Sequence, residues 1–135
     1  MSSLVDAFKS LIPSNFTVYD GQVADDSGNV PEPPWVFLRF PHPDTLDRAL
    51  SGDRHGLLIE GEALLYNTDV DALRMMAAAF DAALDGKRPT LSGWSFGRIH
   101  LDSPVGPAQD RDVKYDGRHP LVISIDFTFV ATKGS

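Results

Sequence analysis

The stretch that decides the fold spans residues 55–86 and reads HGLLIEGEALLYNTDVDALRMMAAAFDAALDG. In its first half apolar and polar residues alternate, so that Leu57 and Ile59 lie on one face and Glu60 and Glu62 on the other. This period of two predicts a β-strand with one buried face and one solvated face. Paired carboxylates can carry out acid–base chemistry when their environments differ. On an alternating strand, however, we interpret Glu60 and Glu62 as the solvated side.

The second half of the stretch predicts a helix that begins at Asp69 and ends at Leu84. Thr68, followed three residues later by Asp71, resembles a capping box and marks the N-terminal end. Gly86 stands where a helix commonly ends with glycine. The apolar residues in between recur at the spacing of one helix face and form the predicted buried stripe, which comprises Val70, Leu73, Met76, Ala77, Phe80 and Leu84.

Three further elements flank this unit. A short N-terminal helix is predicted to end before Pro13, because apolar residues recur at helical spacing at Leu4, Val5, Phe8, Leu11 and Ile12. Residues 121–132 alternate and predict a final strand whose inward face carries Ile123, Ile125, Phe127 and Phe129. Residues 91–101 predict another strand, with Trp94, Phe96, Arg98 and His100 on one face.

The remaining segments predict surface loops. Residues 22–34 are acidic and rich in glycine and proline, and residues 44–54 and 102–119 are polar with mixed charge. A chain of 135 residues fits one domain. We therefore predict a single α+β domain over residues 1–135, in which a mainly antiparallel sheet packs against the two helices.

The segment WVFLRF at residues 35–40 is apolar on both of its faces. One face carries Val36, Leu38 and Phe40, and the other carries Trp35, Phe37 and Arg39. A strand that is apolar on both sides is normally covered on both sides. We expect the cover to come from the chain's own helix or from another subunit, and the second alternative is a first indication of assembly.

Composition narrows the function classes. Twelve Lys and Arg residues against nineteen Asp and Glu residues give a formal charge of −7, which opposes sequence-independent binding of nucleic acid. The absence of cysteine excludes disulfides, thiolate metal sites and a thiol nucleophile. The sequence contains neither a signal-peptide pattern nor an apolar window of 18 residues, so we expect no secretion signal and no membrane span.

One catalytic motif occurs, in residues 93–97, which read GWSFG and match the G-x-S-x-G nucleophile elbow around Ser95. His100 and Asp102 follow closely. The elbow requires a strand before the serine and a helix after it, whereas this run lies within strand-like sequence. A small serine hydrolase that uses Ser95 therefore stays as an alternative only. The four histidines lack zinc-site spacing, and no nucleotide-binding motif occurs, so the motifs support neither a zinc site nor nucleotide binding.

Taken in order, the chain resembles the tail terminator (tail-completion) proteins of long-tailed bacteriophages. The resemblance combines the N-terminal helix, TVYDGQV, a proline-rich acidic loop, PWVFLRFP, GEALLYNTDVDALRMMAAAFDAALDG and the closing DRDVKYDGRHPLVISIDFTFVAT. It covers nearly the whole chain. It implies an α+β subunit without enzymatic activity or cofactor that forms a homo-oligomeric, hexameric ring. Such a ring ends polymerisation of the tail tube and provides the surface for head–tail joining.

The resemblance further implies a place in the virion, at the head-proximal end of the tail, after assembly in the host cytoplasm. The implied partners are copies of the chain itself, the tail tube protein and the head-side connector protein, while DNA passes through the ring without specific binding. A head-completion or connector protein of the phage neck is the alternative within the same class. If acids such as Glu60 and Glu62 line the central hole, or face solvent, they would repel phosphates.

A ring of identical subunits needs two different, complementary patches on each copy. The doubly apolar strand and the two mixed-charge loops are the candidates. The predicted subunit or partner interface comprises Trp35, Phe37, Arg39, Asp44, Asp47, Arg48, Arg54, Asp110, Arg111, Asp112, Lys114, Tyr115 and Arg118.

Overall fold

The computed structural model describes residues 2–21, 28–40 and 56–133. The predicted interface residues Asp44, Asp47, Arg48 and Arg54 lie outside the described residues, as does the first part of the acidic loop. The elements in chain order are α1 (Ser2–Lys9), β1 (Val18–Asp20), β2 (Trp35–Arg39), β3 (Gly56–Asn67), α2 (Val70–Leu84), β4 (Trp94–Phe96), β5 (His100–Leu101), β6 (Val105–Gln109) and β7 (Leu121–Lys133).

The strands form one curled, mixed sheet around the long central pair β3 and β7. These two strands are antiparallel along their whole length, from Gly56 opposite Thr132 to Asn67 opposite Leu121. On one side β2 pairs antiparallel with β3, and β1 pairs parallel with β2. On the other side β4, β5 and β6 follow one another along β7. The predicted α+β class, with a mainly antiparallel sheet and two helices, is confirmed.

Both helices pack on one face of the sheet and enclose the main core. The inward residues of β7 are all buried, as the alternation predicts. The ring of Phe8 from α1 stacks on Phe127 and Phe129, at centroid distances of 4.4 Å and 5.6 Å. Of the predicted stripe on α2, Leu73, Ala77, Phe80 and Leu84 are buried, while Met76 is partly buried and Val70 is exposed.

The N-terminal end of α2 differs from the prediction by one residue. Asp69, not Thr68, is the N-cap, and its carboxylate accepts a hydrogen bond of 2.8 Å from the backbone N–H of Ala72. Asp69 can cap the helix because its backbone is extended, the conformation typical of an N-cap residue. The C-terminal end is as predicted, since Gly86 has a φ of +75° one residue after the C-cap.

The continuous strand predicted over residues 91–101 is wrong. After Phe96 the chain leaves β7 at Ile99, whose backbone N–H donates to Lys87 O and whose carbonyl accepts from Gly86 N, both at 2.8 Å. Pairing with β7 resumes at β5. This detour shifts the alternation, so Ile99 and Leu101 are buried in place of the expected Arg98 and His100, which are exposed.

The long loop predicted over residues 102–119 is also partly wrong, because it contains β6. β6 pairs with the N-terminal half of β7 across a register shift between Val105 and Ala108. The sequence does not predict this strand, because it contains Gly106 and Pro107, residue types that are depleted in strands. Gly106 has a φ of +115°, and a Cβ there would lie 2.7 Å from Val122 O, so the position requires glycine.

In the described part of the chain, the helices are too short or too polar to cross a lipid bilayer.

Candidate interaction surface

The sheet face opposite the helices, here called the open face, carries a row of charged side chains. The strand register places Arg39 of β2 beside Glu62 of β3, and Glu62 beside Asp126 of β7. Asp102 extends the row, since its backbone N–H donates to Asp126 O at 2.9 Å. Four neighbouring chain segments therefore contribute one charge each to a single line across the sheet.

This row is the floor of an acidic cleft of about 440 Å³, which is open to solvent. Glu60 and Thr128, which are cross-strand neighbours, complete its lining. Glu62 is only 23% exposed, because it pairs with Arg39 and accepts a 2.9 Å hydrogen bond from Ser124 Oγ. The cleft therefore contains the Arg39–Glu62 ion pair, with the carboxylates of Glu60, Asp102 and Asp126 around it.

Two features border the acidic cleft. His100 Nε2 lies 3.2 Å from Asp102 Oδ1 at the outer edge of the sheet. Leu58 and Val130 lie directly opposite each other on β3 and β7, and are 57% and 45% exposed. Exposed apolar side chains beside a charged patch are the composition expected of a protein contact surface rather than of a plain solvated face.

At the other end of the open face stands a charged loop at residues 110–118. Its tip is a tight hairpin, in which Tyr115 and Arg118 exchange two backbone hydrogen bonds of 2.8 Å and 2.9 Å. Asp116 and Gly117 between them have φ values of +52° and +73°, as a type I′ turn requires. The Asp-Gly pair thus gives the loop a defined shape.

The 110–118 loop is anchored to residues 28–30. Lys114 N donates to Gly28 O, and Val30 N donates to Lys114 O, both at 2.8 Å. His119 Nδ1 lies 2.8 Å from Val113 O at the base of the loop. These contacts hold the exposed charges of Arg111, Asp112 and Arg118 on a fixed backbone.

A buried tyrosine ties the same loop to the sheet. Tyr66 Oη donates a 2.5 Å hydrogen bond to Asp110 Oδ2, and Asp110 Oδ1 accepts from Asp112 N at 3.0 Å. Burial, followed by the hydrogen bond and the charge of Asp110, raises the pKa of Tyr66 well above its ordinary value. Partial burial and Glu32 likewise raise the pKa of Tyr115. Both tyrosines are therefore held neutral.

On the second face of the WVFLRF strand, Trp35 is covered by other segments of the same chain. Trp35 is 1% exposed and stacks on Tyr66 at a centroid distance of 4.1 Å. Val30 completes this small core, and Val113 and Tyr115 of the 110–118 loop pack against it. The two predicted loops thus provide the cover, which a sequence pattern does not reveal because they are far apart along the chain.

The structure divides the predicted interface residues into buried members, members engaged by other side chains, and members exposed on one loop. Trp35 is buried within the chain and exposes almost no surface. Phe37 is partly buried on the same small core, and Asp110 is engaged by Tyr66. Arg39 lies in the acidic cleft. The remaining described members cluster on one loop and comprise Arg111, Asp112, Lys114, Tyr115 and Arg118.

Glu60 and Glu62 both lie on the open face, as the alternation predicts, although Glu62 is engaged rather than freely solvated. The prediction missed Asp102 and Asp126 as members of the same cleft. The alternation of β7 assigns Asp126 to the outward face, but only the pairing of β3 with β7 brings it beside Glu62.

The G-x-S-x-G run lacks the geometry of a nucleophile elbow. Ser95 lies in the middle of β4, and an extended segment follows instead of a helix. Ser95 is opposite Thr132 and His100 is opposite Thr128, so the two residues are four positions apart along β7. At about 3.3 Å per residue this separates their backbones by roughly 13 Å, far beyond hydrogen-bond reach.

Within residues 2–21, 28–40 and 56–133, no group of three or more metal-ligating side chains is close enough to hold an ion.

The sheet edges are poorly suited to strand addition. β1 has three residues, and the opposite edge is divided into β4, β5 and β6 with Pro104 and Pro107 among them. Short strands, irregularities and prolines are the usual means of blocking edge-to-edge pairing. Contacts with other proteins are therefore expected through side chains of the open face and the 110–118 loop.

No protein-family model and no curated protein matches this sequence.

Proposed function

We propose that this chain is a non-enzymatic structural subunit of the tail-terminator type, which forms a ring at the end of a phage tail tube. The ring ends tube polymerisation and presents a surface to the head-side connector. The proposal rests on the sequence resemblance, and the observed α+β fold is compatible with it.

The main structural support for the proposal is the arrangement of charged and apolar side chains on the open face. Arg39, Glu62, Asp126 and Asp102 form one charged row on an uncovered sheet face, with the apolar pair of Leu58 and Val130 nearby. Arrays of fixed charge with apolar neighbours give register and specificity between proteins.

A second feature favours a role in assembly over a role in ligand binding. The 110–118 loop projects charged side chains from a backbone that is pinned to residues 28–30 and to Tyr66. A preorganised loop loses little conformational entropy when it binds a partner. We assign this loop to contact with the tail tube or the connector.

The acidic balance of the chain also agrees with the passage of DNA. A ring of subunits that each carry a charge of −7 is strongly acidic, and acids that face the hole repel phosphates.

The decisive experiment adds the purified chain to polymerising tail tube protein of the same phage and measures the lengths of the tubes by negative-stain imaging. A terminator caps tubes with a ring and shortens the length distribution as its concentration rises. A chain that leaves the distribution unchanged, and that instead binds the portal or connector, is a neck protein. Uncapped tubes together with no connector binding would refute both roles.

A further inference from the structure

A basic cluster lies on the helix side of the outer sheet edge. Lys87 and Arg88 follow the C-terminal end of α2 and are exposed. Arg98 is held beside them, because its guanidinium donates to Gly86 O at 2.8 Å and Ile99 N donates to Lys87 O. Asp85 is the acid closest in the chain, and its carboxylate already accepts from Leu101 N at 3.1 Å.

The basic cluster has apolar neighbours of its own. Trp94 and Leu91 are partly buried against the main core and partly exposed, and Trp94 N donates to Leu91 O at 3.0 Å. Both residues lie between Arg88 and Arg98 in the chain, and tryptophan and arginine are enriched where binding energy is concentrated in protein interfaces.

The acidic cleft has the opposite charge and lies on the other side of the sheet. Its carboxylates are Glu60, Glu62, Asp102 and Asp126, against the single guanidinium of Arg39. Its apolar border is formed by Leu58 and Val130. The chain therefore carries two patches of opposite charge that point in different directions, each with exposed apolar side chains beside it.

From this charge complementarity we infer that a second copy of the chain occupies the acidic cleft, with its basic cluster at Lys87, Arg88 and Arg98. A contact between two different patches of identical chains is heterologous, and it continues from copy to copy, forming a ring where the rotation between copies closes. The inference rests on the proposed function, since it names the surfaces through which the ring subunits meet.

The inference is tested with two charge-reversal variants at exposed positions. The first, Lys87→Glu with Arg88→Glu, reverses the basic cluster, and the second, Glu60→Lys with Asp126→Lys, reverses the acidic cleft. All four side chains are exposed. Circular dichroism and thermal melting verify that each variant is folded.

Each variant alone is expected to lose self-association by at least about 100-fold, because like charges then face each other at every contact. A 1:1 mixture of the two variants restores assembly, since each cleft then meets a cluster of opposite charge. Native mass spectrometry of the mixture should show complexes in which the two masses alternate in equal numbers.

The control is Lys9→Glu with Arg74→Glu, which changes the net charge of the chain as much as the first variant does but lies on α1 and on the N-terminal half of α2. It should assemble like the wild type. Equal loss in this control, or failure of the 1:1 mixture to assemble, overturns the inferred contact.

These experiments distinguish a failure of the inferred contact from a failure of the proposed function. If the wild-type chain caps tail tubes as a ring but both charge-reversal variants still assemble, the inferred contact is refuted and the tail-terminator role stands. A chain that fails to cap tubes although the mixture assembles refutes the role and leaves the contact standing.

Discussion

Gly61 on β3 lies directly opposite Phe127 on β7, and a Cβ at Gly61 would be 2.4 Å from the Phe127 ring. The Phe127 ring cannot shift away from such a Cβ, because it is packed between two other rings. It stacks on Phe8 at a centroid distance of 4.4 Å and contacts Phe40 edge-on at 5.5 Å. The glycine is therefore required by side-chain packing rather than by its backbone conformation.

Replacing this glycine tests that relationship. Gly61→Ala is expected to lower the free energy of unfolding by about 1–3 kcal/mol, the usual range for overpacking in a core. Urea unfolding followed by circular dichroism measures the change. Gly97→Ala is the matched control, because a Cβ there finds its closest neighbour at 3.7 Å, an ordinary contact. Equal effects of the two substitutions would contradict the packing argument.

The N-cap of α2 gives a second prediction. Asp69→Ala removes the acceptor of the Ala72 N–H and is expected to lower the free energy of unfolding by about 1 kcal/mol. Thr68→Ala, at the position that the sequence pattern favours, is expected to change stability by less than about 0.5 kcal/mol. Thermal unfolding of both variants decides between the two residues, and a larger loss for Thr68→Ala would refute the assignment.

The Tyr66 hydrogen bond makes a third prediction. Tyr66→Phe retains the ring that stacks on Trp35 but removes the donor to Asp110, so we expect a loss of about 1.5–3 kcal/mol, the range for hydrogen bonds to charged groups. Chemical denaturation at neutral pH measures it. A loss below about 0.5 kcal/mol would show that water replaces the hydroxyl group without cost.

The raised pKa of Tyr66 predicts that the free energy of unfolding depends on pH in the alkaline range. Its pKa is raised in the folded state, so above about pH 10 the unfolded chain releases this proton first, and the free energy of unfolding falls as pH rises. The contribution is fully present below about pH 10. The difference in stability between wild type and Tyr66→Phe should therefore shrink as pH rises from about 9 to about 11. A difference that stays constant over this range would contradict the raised pKa.

Ser95 provides the last prediction. Because Ser95 and His100 are separated along β7, we expect Ser95→Ala to leave any hydrolysis of p-nitrophenyl esters within about twofold of the wild-type rate. Steady-state assays of the two purified chains measure this. A loss of about 100-fold or more would restore the hydrolase alternative.

The sequence alone indicates the elements whose periodicity is local. The alternation of β3 and β7 and the apolar stripe of α2 appear directly in the residue order, and each is confirmed by burial. Local pattern suffices there because each residue's exposure follows from its own strand or helix period. It fails at Ile99, where pairing with Gly86 and Lys87 shifts the alternation of the edge strand.

The candidate site depends on contacts between distant parts of the chain. No sequence pattern brings Arg39, Glu62, Asp102 and Asp126 into one row, because their proximity follows from the pairing register of β2, β3 and β7 and from the edge beside them. Trp35 is apolar and suggests a contact surface, but its exposure is decided by the 110–118 loop that packs over it.

The sequence by itself therefore determined the long strands β3 and β7, the helix α2 and the apolar face of each, since these properties repeat every two or 3.6 residues. The tertiary structure alone decided which of those faces remains open. Coverage of a face depends on segments far along the chain, and only the register of the paired strands fixes where such segments meet.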